Sequence, residues 1–140
     1  MRALDNLNPK SLWYYFEEIC QIPRPSKKEE KIIKYLLNFA ENNSLKSKKD
    51  KVGNVLIIKP ASKGYETKPS IVLQSHLDMV CEKNEKTKFD FDKDPIQVFV
   101  ENGWVKAHGT TLGADDGIGI AAQLATLASN DIVAFFQSSL

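Results

Sequence analysis

The sequence is short of cysteine, of long apolar runs and of excess charge of either sign, and each shortage removes a class of protein. Its two cysteines, Cys20 and Cys81, have no partners at metal-binding spacing. That excludes a disulfide-built scaffold and a cysteine-ligated zinc module, and it reads as a pair of reduced thiols in a cytosolic chain. No apolar stretch approaches the ~18 residues a membrane span needs, and Met1-Arg2-Ala3-Leu4-Asp5-Asn6 holds no secretory core. A net charge of +1 gives no reason to expect nucleic acid or an anionic membrane as partner. The one basic cluster, Lys46 to Lys51, is broken by Ser47 and Asp50 and reads as a solvated loop. What remains, at 42% hydrophobic and 26% charged residues over 140 positions, is the composition of one soluble globular domain. The sequence has neither internal repeats nor low-complexity segments.

The hydrophobic pattern predicts two helices followed by mixed α/β structure. Asn8 is placed to cap a first helix with Pro9 in its first turn, and Leu12, Phe16, Ile19 and Cys20 form its apolar stripe. Pro23 and Pro25 end it. Ser26-Lys27-Lys28-Glu29 has the form of a capping box opening a second helix, whose Ile33, Leu36, Leu37 and Ala40 face inward until Asn42-Asn43-Ser44. Val55–Ile58 and Ile71–Leu73 are short apolar runs of the kind found in covered sheets. Ile96 to Val100 alternates, and Asn102-Gly103 before Trp104-Val105 predicts a tight hairpin. The polar stretch Lys83 to Asp94 is a predicted loop, and Asp131 to Phe136 reads as the start of another strand.

The chemistry concentrates in two segments. Ser75-His76-Leu77-Asp78 follows the apolar run Ile71 to Gln74, and the end of such a strand is where α/β sheets place their ligands. Side chains alternate in extended chain, so His76 and Asp78 point to the same side. One imidazole can then ligate a metal while the carboxylate orients it. The second segment is Gly109-Thr110-Thr111-Leu112-Gly113-Ala114-Asp115-Asp116-Gly117-Ile118-Gly119, after which Ile120, Leu124, Leu127 and Ala128 recur at helical spacing. Asp115 and Asp116 therefore stand at a helix start. Capping justifies one aspartate there but not two, nor the glycine-rich approach through Gly109 and Gly113.

Two other patterns fit known sites by letters only. Gly117-x-Gly119-x-x-Ala122 matches a dinucleotide fingerprint, but that fingerprint follows directly on a buried strand and here Thr110 to Ala114 precedes it. Asp90-x-Asp92-x-Asp94 with Glu101 copies the spacing of a calcium loop, yet Pro95 stands where that loop requires glycine for its turn.

Ser75-His76-Leu77-Asp78-Met79-Val80 followed by residues 109–119 resembles the aminoacyl-histidine dipeptidases, also called cytosol non-specific dipeptidases, of the co-catalytic zinc peptidases. The likeness extends from the Trp-Tyr-Tyr-Phe segment at residue 13 to about residue 130. The resemblance implies an α/β catalytic domain and a cytoplasmic enzyme that hydrolyses dipeptides of the Xaa-His type at a two-zinc site, with cobalt and manganese also suited to such ligands. It implies that His76 ligates one zinc, that Asp78 is a catalytic residue holding the imidazole, and that Asp115 bridges two metals, with a non-proline cis peptide bond before Asp116. The resemblance also implies a Glu-Glu pair, a further Asp and a late His, none of them at matching positions here, together with a smaller second domain and a full-length chain that can form a homodimer. Residues 1–140 would then be a partial catalytic domain, inactive alone. The alternatives are a non-catalytic metal-binding remnant and a nucleotide-binding module.

Overall fold

The computed structural model describes residues 2–130 and 136–139. Two amphipathic helices come first, α1 (Lys10–Cys20) and α2 (Glu30–Asn42). The apolar stripe of α1 is buried at Phe16, Ile19 and Cys20, while α2 buries Ile32, Leu36, Phe39 and Ala40. On α2 the expected Ile33 and Leu37 are only partly covered, because the buried stripe is centred one residue to the side.

Neither helix opens as expected. No side-chain cap closes α1, which starts after Pro9 in extended backbone; Asn8 instead offers its carbonyl to the Trp13 indole N–H at 3.1 Å. The capping box before α2 does not form either. Glu29 turns back to accept the Lys27 backbone N–H at 2.7 Å, and the Ser26 hydroxyl is engaged elsewhere, on Asp78.

Four strands form one sheet in the order β1 (Lys46–Lys49), β2 (Val55–Ile58), β6 (Phe136–Ser139) and β3 (Ile71–Gln74). The pairs β1–β2 and β2–β6 are antiparallel, whereas β3 and β6 run parallel. The strand expected to begin at Asp131 is represented by β6; residues 131–135 lie outside the described residues. The lysine cluster is not a loop. Its residues 46–49 pair with β2 as an exposed edge strand, for backbone pairing needs no apolar side chains and lysines suit a sheet edge. Between β3 and α3 (Ala114–Ala128), the hairpin β4 (Val98–Glu101) and β5 (Trp104–Ala107) forms a separate two-stranded sheet. Asn102 and Gly103 turn it with φ of 52° and 80°, the positive values that the two-residue turn requires.

Helix α1 packs along α3, and α2 lies on β1 and β2. Phe16, Ile19, Ile120 and Leu124 meet Leu77, Met79 and Ile96 in one cluster. The chain just beyond β3 therefore runs through the core as part of it. β3 itself does not fit the expectation of a covered strand: Ile71 and Val72 are 49% and 58% exposed. It is a sheet edge among the described residues, and only β6 pairs with it.

Candidate metal centre

After β3 the chain stays extended and its burial alternates. Ser75, Leu77 and Met79 point into the core, while His76 and Val80 face solvent and Asp78 is partly covered. The alternation puts His76 and Asp78 on one side, as two-residue spacing requires. The second segment arrives from the opposite direction. Gly113 caps α3 with φ of 70° and ψ of 30°, a left-handed conformation that glycine adopts without strain. Asp115 and Asp116 then depart from helical geometry, and the peptide bond between them is cis.

These two segments bring His76, Asp78 and Asp115 together. The imidazole lies between two carboxylates, with Nδ1 2.9 Å from Asp78 Oδ1 and Nε2 3.1 Å from Asp115 Oδ1. His76 is half-exposed, and the Asp115 side chain is 97% exposed. Asp115 raises the His76 pKa above its ordinary value by hydrogen bonding; partial burial opposes this and Asp78 adds to it. The Asp78 carboxylate is held below its ordinary value, first by the Ser26 hydroxyl and then by His76, against partial burial. Beside the histidine lies an open groove of about 290 Å³ lined by Glu29, Asn54, Gln74, Ser75, His76 and Asp78.

In the tautomer whose Nδ1–H donates to Asp78, Nε2 is the unprotonated ring nitrogen, 3.1 Å from Asp115 Oδ1, and that nitrogen and the Asp115 carboxylate are then the donors a cation would meet. That pair suits a divalent metal of the zinc, cobalt or manganese class. Among the described residues, no group of three or more His, Cys, Asp or Glu side chains is placed to hold a metal ion. His76 and Asp115 form a partial ligand set. Asp116 is turned away, with its carboxylate packed where a side chain on Gly119 would stand.

Sequence reasoning missed two residues on the connection between α1 and α2. Arg24 is 1% exposed. Its Nη1 donates to the carbonyls of Leu77 (3.0 Å) and Asp78 (3.2 Å), and its Nη2 to that of Gly113 (2.6 Å). Burial lowers its pKa, and the nearby Cys20, Asp78, Cys81 and Asp116 only partly oppose this. The second is Ser26, hydrogen-bonded to Asp78 Oδ2. The only signal for either is Pro23-Arg24-Pro25, whose prolines bias the connection toward extended backbone; Pro25 indeed forms a parallel bridge with Met79.

The rival motifs find no support in the geometry. Gly117 and Gly119 lie inside α3, and a Cβ on Gly117 would meet Arg24 Nη2 at 2.6 Å. They do not form a phosphate loop after a strand. In the acidic loop, Asp92 pairs with Lys28 at 2.6 Å, Asp90 pairs with Lys93 at 2.9 Å, and Asp94 accepts the Asp90 backbone N–H at 2.7 Å. Both cysteines are free, and burial raises the Cys20 thiol to about 12. Among the described residues no helix is long and apolar enough to cross a membrane.

No protein-family model matches the chain. Over 133 residues, 95% of its length, it is 50% identical to the cytosol non-specific dipeptidase of Escherichia coli strain K12. Its fold matches the crystal structure of aminoacylhistidine dipeptidase from Vibrio alginolyticus with a TM-score of 0.95, at 47% identity over 98% of the chain. A tripeptidase from Staphylococcus aureus matches with a TM-score of 0.75 at 23% identity, which speaks for the fold alone. The likeness first noted in two motifs therefore holds along almost the whole chain. The chain spans about a quarter of the length of the relatives it matches, 27% of the first and 28% of the second.

Proposed function

We propose that these residues form part of a metal-dependent dipeptidase, with His76 and Asp115 as metal ligands, Asp78 as the group that holds the imidazole, and dipeptides as substrate. The observation that carries this reading is the placement of His76 between two carboxylates in a chain half-identical to a dipeptidase. The expected metal is zinc, of which the complete site would hold two ions, with His76 and Asp115 among the residues that would hold them. A bound metal supplies Lewis acidity toward the scissile carbonyl and lowers the pKa of water.

The residues of this chain prepare that site. Asp78 Oδ1, 2.9 Å from Nδ1, is placed to accept a hydrogen bond from an Nδ1–H ring, the tautomer whose Nε2 is free for a ligand. The Asp115 carboxylate is solvent-facing, which leaves it open to a cation from outside. The groove beside His76, with its Asn54 and Gln74 amides, offers hydrogen bonds to a small polar substrate.

A catalytic zinc normally takes three protein ligands and keeps one position for water. His76 and Asp115 supply two, so the 140 residues alone are expected to bind metal weakly and not to turn over. The remaining donors, the general base and a smaller second domain would belong to sequence corresponding to the unmatched three quarters of the relatives. The cytosol named for the bacterial relative is the compartment proposed here.

Competition of the purified chain with a chromogenic chelator for zinc tests the site. Either His76→Ala or Asp115→Ala is expected to weaken binding about tenfold or more; unchanged affinity in both would remove the metal reading. Zinc-dependent dipeptide cleavage by the chain, lost in Asp115→Ala, would show that the partial site is sufficient. A metal-binding remnant without a catalytic history shares the first result, and it is separated by assaying a chain extended to the relatives' full length.

A further inference from the structure

The geometry points to Ser26 as a positioning residue for His76, acting through Asp78 from a crossover segment that Arg24 locks to both metal-motif segments. Ser26 is exposed and stands where a helix cap is expected, yet its hydroxyl leaves the helix end and donates to Asp78 Oδ2. The other carboxylate oxygen, Oδ1, faces His76 Nδ1 at 2.9 Å. Ser26, Asp78 and His76 thus form a relay that ends at Nε2, opposite Asp115.

Two carboxylates compete for the single proton of the neutral ring. Asp78 favours Nδ1–H, the form whose Nε2 can take a ligand, and Asp115 favours Nε2–H, the form that cannot. The two acids are not equally constrained. A hydroxyl fixes Asp78, whereas the Asp115 side chain is 97% exposed. A fixed acceptor keeps its hydrogen bond at less entropic cost than a mobile one, so the Ser26 bond tilts the ring toward the ligand-accepting form.

That bond works only if the Ser26 backbone is held still against Asp78. Arg24, two residues away, does this. Its guanidinium spans the carbonyls of Leu77, Asp78 and Gly113, the Arg24 carbonyl accepts the Met79 N–H at 3.1 Å, and Pro25 bridges to Met79. A Cβ at Gly113 would stand 2.7 Å from the same guanidinium, so the packing there leaves little slack.

The inference rests on the metal-site reading for its purpose, but the placement it asserts is measurable without metal. In the metal-free, ¹⁵N-labelled chain, above the pH at which His76 titrates, long-range ¹H–¹⁵N spectra report the ring tautomer, with His108 as internal control. The expected result is a predominantly Nδ1–H ring in the wild type and a shift toward Nε2–H in Ser26→Ala, restored in Ser26→Thr, with no change in melting temperature. Zinc affinity in the same variant is expected to fall about tenfold, at the low end of the range for groups that orient a ligand. A wild-type tautomer in Ser26→Ala overturns the proposal, even if zinc binding depends on His76. A shifted tautomer without His76-dependent zinc binding upholds it and removes the metal reading instead.

Discussion

His76 carries opposite obligations at its two nitrogens, and these set a pH signature for the metal-free chain. Its pKa is raised, so its contribution to stability is fully present below the unfolded value, about 6.5, and is lost as pH rises through the folded value. Asp78 is lowered, so its contribution is present above its unfolded value, about 3.9, and is lost as pH falls through the folded one. The stabilising window lies between the folded Asp78 and His76 values. Because the ring is half-exposed, the pair is worth less than about 1 kcal/mol. Urea titrations of wild type and His76→Gln should therefore differ near pH 5.5 and converge above the His76 titration; a difference that grows with pH would contradict the assignment. Arg24 is a different kind of residue, since solvent cannot take over its bonds. Arg24→Met removes the charge and with it the cost of burying it, but leaves three carbonyls without their donor. The net loss expected in urea unfolding is roughly 2–4 kcal/mol. A loss under about 1 kcal/mol would mean that water replaces the guanidinium.

Helix α3 ends with a solution that its own sequence does not supply. No basic residue lies in its last turn. Lys59, just beyond β2, reaches across to donate to the carbonyls of Leu127 and Ser129 at 2.8 and 2.7 Å. A cation there satisfies end carbonyls and complements the helix dipole. Lys59→Met keeps the aliphatic stem and is expected to cost about 0.5–1.5 kcal/mol in thermal or urea unfolding; no loss would mean that the ammonium adds nothing beyond packing. Long-range partners of this kind mark the limit of what the sequence shows. The apolar stripes of α1 and α3, the β2 run and the Asn102-Gly103 turn are written in local spacing and agree with the observed elements. That His76 and Asp78 share a side was legible from alternation past a strand, whereas the meeting of Asp115 with His76 was legible through the dipeptidase resemblance and not from spacing. Local signals misled where a distant group claimed the side chain. Ser26 had the spacing of a capping box but bonds Asp78, and the lysines of β1 had the composition of a loop but pair with β2. Arg24 carries no periodic signal, because its partners are backbone carbonyls that look alike in any sequence.

The two ends of the main sheet differ in how they meet solvent, and this governs how the whole molecule behaves at high concentration. β1, Lys-Ser-Lys-Lys, puts repelling ammonium groups along its edge, a device that blocks pairing with another chain. β3, Ile-Val-Leu-Gln, carries no charge, is paired among the described residues only with β6, and exposes Ile71 and Val72 by 49% and 58%. Val100 and Trp104 on the separate hairpin are exposed by 41% and 71%, so apolar surface is not confined to one strand. An uncharged, β-branched edge is the more dangerous of these features, because it offers backbone donors and acceptors together with apolar side chains. The chain is therefore expected to self-associate at micromolar concentrations despite an ordinary composition. Val72→Lys is the discriminating change. The side chain is mostly in solvent, so the fold should lose less than about 0.5 kcal/mol, while a charge on the edge opposes strand addition. Sedimentation velocity should show wild-type oligomers giving way to monomer in Val72→Lys, and Trp104→Lys should shift the balance less. A monodisperse wild-type monomer would show that the β3 edge is already protected. Oligomers that dissolve only in Trp104→Lys would move the contact to the hairpin.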